Sequence, residues 1–161
     1  MSEEQMWIGG EWCAAENGET SEVLNPATGE VMATVPKATA GDVNHCVETS
    51  RAAFNNADWK SMDPAQRGRI LNKMAAVTYA KAKELAVVES SNNGKTFREA
   101  LSEIRYGAWT LEYFAGLTDK IEGSTIPVPG PRLNYTLRQP LGVTAHIVPW
   151  NFPLQLALRS I

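Results

Sequence analysis

The 161-residue chain contains only two cysteines, too few for a disulfide framework and typical of a protein from a reducing cytoplasm. It has no basic excess, because 15 lysines and arginines face 18 acidic residues. The net charge of −3 argues against a non-specific nucleic-acid-binding protein, which must neutralise phosphates. No apolar run approaches the roughly 20 residues of a membrane-spanning helix, and the first residues lack the pattern of a secretory signal. We expect a cytoplasmic protein that binds neither nucleic acid nor membranes.

The composition that is present, 43% hydrophobic and 20% charged, is typical of a soluble globular protein with enough apolar material for a core. The most apolar stretch lies at the C-terminus, in residues 141–161. A self-contained domain usually ends in a polar, frayed tail. We therefore expect the chain to be the front part of a longer protein.

The first 122 residues divide into two parts by the period of their apolar residues. Short apolar pieces separated by Gly-Gly, Asn-Gly and Asn-Pro turns predict a meander of strands over residues 6–36. Helical spacing then predicts three helices over residues 39–122, with a break in the second near Ala80 and a left-handed end at Asn93-Gly94. Their starts are predicted at capping residues: Thr39, Asp63 and Thr96.

The C-terminal third predicts strands and one more helix. Residues 132–138 alternate apolar and polar side chains, as in a strand with one solvent-exposed face. Residues 142–150 are apolar on both faces except at Thr144 and His146, as in a central parallel strand. Asn151-Phe-Pro153 then predicts the capped start of a helix. Strand, tight turn and helix together form the opening unit of a doubly wound α/β domain.

Three residues that often carry chemistry are predicted to be structural or unassigned. Cys46 falls on the apolar face of the first helix, which predicts a buried, inert thiol. His146 lies among apolar neighbours with no second histidine nearby, which predicts a core histidine with a satisfied hydrogen bond. Cys13 lies in the opening turn region and matches no nucleophile context.

Four motifs, in this order, are similar to those of NAD(P)-dependent aldehyde dehydrogenases: Asn25-Pro-Ala-Thr-Gly-Glu30, Asn93-Gly-Lys95, Tyr113-Phe-Ala-Gly116 and Ile147-Val-Pro-Trp-Asn-Phe-Pro153. The resemblance covers residues 7–161 and implies an α/β fold, of which this chain is an incomplete N-terminal portion. It implies that residues 1–122 belong to the cofactor-binding domain and residues 123–140 to the hairpin that joins subunits into a homo-oligomer. Residues 141–161 would be the first strand and the start of the helix of the Rossmann-type unit. From its own pattern, the segment 132–138 is equally compatible with an ordinary edge strand.

The resemblance also implies a reaction, the oxidation of a small-molecule aldehyde to a carboxylic acid with NAD or NADP through a cysteine thiohemiacetal. In that family the side-chain amide at the position of Asn151 donates a hydrogen bond to the oxyanion, which requires a neutral donor fixed before reaction. The resemblance implies that residues at the end of the first strand would line the cofactor groove: Ile147, Val148, Pro149 and Trp150. From residue type alone, the preferred interpretation of Asn151 is a helix N-cap, and Trp150 remains open as a core aromatic.

Several parts of the family's machinery have no counterpart in this sequence. Neither cysteine corresponds to the nucleophile, and the general base and the lysine that contacts the ribose fall beyond Ile161. The chain by itself is therefore expected to be inactive, and the alternative is a non-catalytic module that pairs with full-length subunits. Some family members bind a monovalent cation with backbone carbonyls near Val23 and an acidic side chain where this chain has Asn92. No metal site is predicted.

Overall fold

The computed structural model describes residues 2–161 and places the strands at the N-terminus. The strands are β1 (Ser2–Glu3), β2 (Met6–Ile8), β3 (Glu11–Cys13), β4 (Thr20–Leu24) and β5 (Val31–Pro36). One sheet has the order β1-β5-β4, with β1 parallel and β4 antiparallel to β5, and β2 and β3 form a separate hairpin. The predicted short strands over residues 6–36 are present, with β1 added before them, but they form two separate antiparallel pairs rather than one meander.

The helices follow as α1 (Ala40–Asn55), α2 (Ala57–Ser61), α3 (Pro64–Ala80), α4 (Ala82–Asn93), α5 (Phe97–Ala115) and α6 (Pro153–Ser160). Thr39 and Thr96 each form a capping box, and Asp63 caps α3 ahead of Pro64, as predicted. The region 39–122 holds five helices rather than three. The predicted break lies at Lys81, and Asn56 adds a break by capping α2 through its side chain. No helix in residues 2–161 has the length and apolar character to span a membrane.

Helix α5 is the centre of the packing and lies against α3, α4 and α6. One cluster of buried side chains joins α4 to α5, and another joins α3, α5 and α6; Leu154 packs against both. Small residues allow these helices to approach closely. A Cβ on Gly107 of α5 would lie 3.0 Å from Leu158 Cδ1 and 3.4 Å from Gln155 Cα. The contact between α5 and α6 therefore fixes where the turn preceding α6 lies.

The prediction for Cys46 is wrong. Its side chain is exposed, and α1 buries none of its residues among those described. Val43 and Val47, on the same predicted face, are 55% and 43% exposed. A helical apolar stripe predicts which face can be buried, but burial also requires another element to pack against it. Little of the described chain covers this face.

The alternating segment 132–138 forms no regular strand. It pairs with residues 124–126 through a single bridge, Thr125 with Tyr135. Ile126 N donates to Asn134 O at 2.8 Å, and Thr136 N donates to Ser124 O at 2.9 Å. The side chains of Leu133 and Leu137 are 75% and 71% exposed. The alternation is thus that of a strand edge whose apolar face has no partner in residues 2–161.

The segment 142–150, expected to be a buried central strand, forms no strand and lies largely exposed. Ile147 is 99% and Trp150 76% exposed. His146 is also exposed and shares a 2.8 Å hydrogen bond with Thr144 Oγ1, so the prediction of a core histidine is wrong. A parallel strand needs neighbours that satisfy its backbone on both edges. No described segment supplies such neighbouring strands. The overall α/β class is nevertheless confirmed.

Candidate functional site

Asn151 lies in the turn between the extended segment 142–150 and helix α6. Pro153 occupies the first turn of α6, as predicted. N–H groups in the first turn of a helix have no acceptor within the helix, so a proline there costs no hydrogen bond. The N-cap position belongs to Phe152, which makes no side-chain capping bond. The alternative that Asn151 is the helix N-cap is therefore wrong. Its side chain is exposed, and no group among residues 2–161 hydrogen-bonds its amide.

The ammonium group of Lys95 contacts this turn. Its Nζ donates to the backbone carbonyl of Asn151 at 2.5 Å and lies 4.7 Å from the centre of the Phe152 ring. Lys95 and Asn151 are 56 residues apart in the chain. The lysine therefore joins the connection between α4 and α5 to the turn that precedes α6.

Two carboxylates complete the surroundings of Lys95. Glu89 of α4 accepts from its Nζ at 3.0 Å, and Glu103 of α5 makes a second, shorter contact. The three side chains are only 4%, 14% and 15% exposed for Glu89, Lys95 and Glu103. Ion pairs so removed from water require nearly complete hydrogen bonding to offset desolvation.

Burial dominates the electrostatics of this ion-pair cluster, which we define as Glu89, Lys95 and Glu103. Burial raises the pKa of Glu89 above its ordinary value; hydrogen bonding to Lys95 opposes the rise, and the neighbouring Glu103 adds to it. Burial by itself lowers the pKa of Lys95, but its hydrogen bonds to Glu103 and Glu89 outweigh that effect and raise it. The ammonium therefore stays charged through neutral pH.

The structure brings together some of the residues predicted to form the site. Trp150 and Asn151 line an open hollow together with Lys95, Glu103 and Phe152. Three other predicted cofactor-binding residues precede the hollow: Ile147 and Pro149 are exposed and Val148 is half-buried. No described residue encloses these three in a groove. The ion-pair cluster was not predicted, and the only sequence signal for it was the weak Asn93-Gly-Lys95 motif.

A dinucleotide needs donors or cations for its phosphates as well as an apolar wall. The segment Ile147–Trp150 supplies apolar surface, and the nearby Lys95 is already engaged by two carboxylates. The described residues thus fit one wall of a nicotinamide dinucleotide site rather than a whole site. Residues 2–161 hold no cluster of side chains suited to a metal ion.

The sequence matches known proteins along nearly its whole length. The sequence model of the aldehyde dehydrogenase family matches residues 12–161. The chain is 39% identical over 156 residues to hydroxyisobutyraldehyde dehydrogenase of Mycolicibacterium austroafricanum, covering 97% of this chain and 31% of that protein. It is 41% identical over 152 residues to human retinal dehydrogenase 2, covering 93% of this chain and 29% of that protein.

Solved structures give the same match in three dimensions. An aldehyde dehydrogenase from Bacillus cereus superposes with a TM-score of 0.93 at 39% identity, covering 97% of this chain and 32% of that one. The indole-3-acetaldehyde dehydrogenase AldA of P. syringae, solved with NAD+ and IAA, superposes with a TM-score of 0.91 at 35% identity. The match covers 96% of this chain and 31% of that one. The chain spans about a third of the length of these relatives. It belongs to the aldehyde dehydrogenase family.

Proposed function

We propose that this chain is the N-terminal part of an NAD(P)+-dependent enzyme that oxidises an aldehyde to a carboxylic acid. The observation that carries the proposal is the exposed, unengaged side-chain amide of Asn151, on a turn whose backbone Lys95 holds. Family membership, relatives named for aldehyde oxidation and a neighbour solved with NAD+ support it.

In the proposed reaction, a cysteine thiolate outside this chain adds to the aldehyde carbon, and the carbonyl electron pair moves onto oxygen. The Asn151 amide N–H would donate to that oxygen, so negative charge develops against a donor already in place. A neutral donor suits this role because it holds no counter-ion that must first be displaced. A bound nicotinamide would accept the hydride that leaves the same carbon. Water would then add to the resulting thioester, and the C–S bond would break to release the carboxylic acid and the cysteine thiolate.

Ile147, Val148, Pro149 and Trp150 are proposed as one wall of the cofactor groove. Their apolar side chains precede Asn151 directly, so a nicotinamide ring packed on them would lie next to the oxyanion donor. Such a wall would also exclude water from the hydride-transfer path. The same wall serves NAD or NADP, because the two differ at the distant adenosine ribose.

Residues 123–140 are proposed as an oligomerisation hairpin that pairs with the same segment or another edge in a second subunit. The exposed side chains of Leu133 and Leu137, on one side of a single-bridge hairpin, support this proposal. Pairing would satisfy the unpaired backbone groups of the edge and cover its apolar face. The alternative, a non-catalytic module that pairs with full-length subunits, uses the same surface. A cytoplasmic location is proposed from the two unpaired cysteines.

The decisive experiment transplants this chain into a working enzyme. Residues 1–161 replace the matched first third of the Bacillus cereus enzyme, and NADH formation from aldehydes is followed. We expect an active chimera in which Asn151→Ala lowers kcat by about 10²–10³-fold, the effect of losing one oxyanion donor. Asn44→Ala, on the exposed face of α1, is the matched control and should leave kcat unchanged.

The isolated 161-residue chain, assayed in parallel, should form no NADH, because it lacks a nucleophile and a base. Turnover unaffected by Asn151→Ala would remove the proposed role of that residue. Sustained NADH formation by the chain alone would contradict its proposed dependence on the rest of the enzyme. Co-elution of an inactive chain with intact enzyme, combined with an inactive chimera, would favour the interaction module.

A further inference from the structure

The ammonium group of Lys95 has three N–H donors, and the structure places three oxygen acceptors around it. They are the carboxylates of Glu89 and Glu103 and the backbone carbonyl of Asn151. A lysine ammonium can donate three hydrogen bonds and accept none. The set of acceptors thus matches the donors in number, and the group is buried enough that an unmade bond would be costly.

Lys95 is also fixed through its own backbone. Its N–H donates to Asn93 Oδ1 at 3.0 Å, and its carbonyl accepts from Ser90 Oγ at 2.7 Å. Gly94, just before it, adopts φ of +80° at the C-cap of α4, a conformation that glycine adopts at little cost. The stem of the lysine therefore starts from a rigid position, and its ammonium is a fixed point rather than a mobile charge.

The packing of α6 against α5 fixes where the turn at the opposite end of this contact lies, but it leaves the Asn151 side chain without a partner. The Asn151 side chain makes no hydrogen bond within residues 2–161, and Phe152 gives no side-chain cap to α6. Lys95 contacts both residues, the first through its carbonyl and the second through its ring face. Holding the Asn151 carbonyl restricts the backbone rotation that carries the Asn151 side chain.

We propose that Lys95 is a positioning residue for Asn151. Clamped between Glu89 and Glu103, its ammonium fixes the Asn151 carbonyl and so sets the direction of the Asn151 side-chain amide. Glu103 and Glu89 act through Lys95, since they hold the ammonium under the turn. The consequence for catalysis rests on the proposed function of Asn151, whereas the positioning itself does not.

The test uses the 161-residue chain and needs no substrate. Hydrogen exchange is measured over residues 150–160, and the side-chain amide signals are recorded by NMR in chain labelled at asparagine. Lys95→Met keeps most of the stem and removes the donors, whereas Lys95→Arg keeps charge and donors. Lys81→Met is the matched control, because Lys81 has an exposed side chain paired with Glu84 at 3.8 Å.

We expect Lys95→Met to speed exchange at the start of α6 by about tenfold to a hundredfold, the effect of losing one charged hydrogen bond. The Leu156 amide, which donates to Phe152 O at 3.0 Å, is the most direct reporter. The Asn151 amide signals should move toward their positions in an unfolded chain, while those of Asn44 stay in place. Lys95→Arg should restore most of the wild-type pattern, and Lys81→Met should not alter it.

Because Lys95→Met leaves two buried carboxylates without a cation, a second variant removes that complication. It combines Lys95→Met with Glu89→Gln and Glu103→Gln, so the cluster is neutral and of similar volume. Loosening of the turn with α3–α5 intact supports the proposal. An unchanged turn in either variant, no protection of α6 in the wild type, or general unfolding of the neutral variant overturns it.

The proposed function fails separately, through the chimera. If Asn151→Ala leaves kcat unchanged while the exchange results stand, Lys95 positions the turn but the turn has no catalytic task. If Asn151→Ala lowers kcat and Lys95→Met loosens the turn, then Lys95→Met in the chimera should lower kcat without raising KM for the cofactor. The reason is that an interaction made only in the transition state is lost.

Discussion

Glu89 is the one charged residue that is buried among residues 2–161, at 5% exposure. Its carboxylate lies between α4 and α5 and accepts from Lys95. A buried carboxylate with one cation and a second carboxylate as neighbours is rarely the most stable choice for a core position. Its presence beside the Asn151 turn is consistent with a requirement for geometry rather than for stability.

The first prediction concerns the pH dependence that Glu89 produces. Because its pKa is raised in the folded state, the folded chain holds this proton to higher pH than the unfolded chain does. The stability due to that proton is complete below the ordinary value of 4.5 and is lost as pH rises through the raised pKa. Glu89→Gln should therefore flatten the fall in unfolding free energy above pH 4.5, measured by denaturant titration.

Glu84→Gln is the control for this prediction, since Glu84 lies on the same helix with 70% of its side chain exposed. It should retain the wild-type slope. The readout is the slope and not the absolute stability, because the Glu89→Gln substitution also changes the hydrogen bond to Lys95. Equal slopes for Glu89→Gln and wild type would show that burial does not raise this pKa.

At the scale of elements, the site depends on how closely the helices pack around α5. Small residues at the contacts, among them Gly68 on α3 and Gly107 on α5, let backbones approach. A Cβ on Gly68 would lie 2.6 Å from the carbonyl oxygen of Ala115 and 2.8 Å from Thr118 Oγ1. The backbone oxygen belongs to the end of α5 and cannot rotate aside as a side chain can.

Gly68→Ala should destabilise the chain. Forcing apart two packed backbones costs about 1–3 kcal/mol, which exceeds the roughly 1 kcal/mol that alanine gains over glycine within a helix. Gly41→Ala in α1 is the control, because its added methyl meets only the exposed carboxylate of Glu16 and the hydroxyl of Thr39. That variant should be neutral or stabilised by up to about 1 kcal/mol. The measurement is the melting temperature of each variant. A melting temperature of Gly68→Ala at or above that of the wild type would contradict the packing argument.

At the scale of the whole molecule, the surface is large for the mass. The accessible area is 11806 Å² for 17.6 kDa, whereas a compact monomer of that mass exposes about 7,900 Å². Apolar side chains are highly exposed in the extended segments between α5 and α6, where Leu141 and Ile147 are 96% and 99% exposed. Apolar surface displayed in this way favours association.

The chain should therefore self-associate in solution, with a weight-average mass that rises with concentration in light scattering. Ile147→Ser should lower that mass, because it removes an exposed apolar contact from an unpaired extended segment. Val87→Ser is the control, since Val87 is 55% exposed on a regular helix whose backbone is already paired. A monomer at every concentration would be evidence against association through the extended segments.

Local signals were sufficient for the starts at Thr39, Asp63 and Thr96 and for the family, although the break at Asn56 was missed. The capping boxes at Thr39 and Thr96 and the end at Gly94 involve hydrogen bonds or backbone angles within a few residues, so their sequence carries the information. The ordered motifs, above all Pro149–Pro153, identified the relatives because similar sites need similar residues in similar order. The same motif singled out Asn151 from the sequence.

Burial and the position of the Asn151 turn depend on contacts between distant residues. The apolar face of Cys46 and the apolar segment 142–150 were predicted to be buried, but burial depends on what packs against them, which periodicity does not encode. The hydrogen bond between Lys95 and Asn151, which are 56 residues apart, also depends on tertiary packing and was not predicted. Sequence patterns act over one or two turns of chain, whereas the position of the Asn151 amide is set by helices that fold together from separate parts of it.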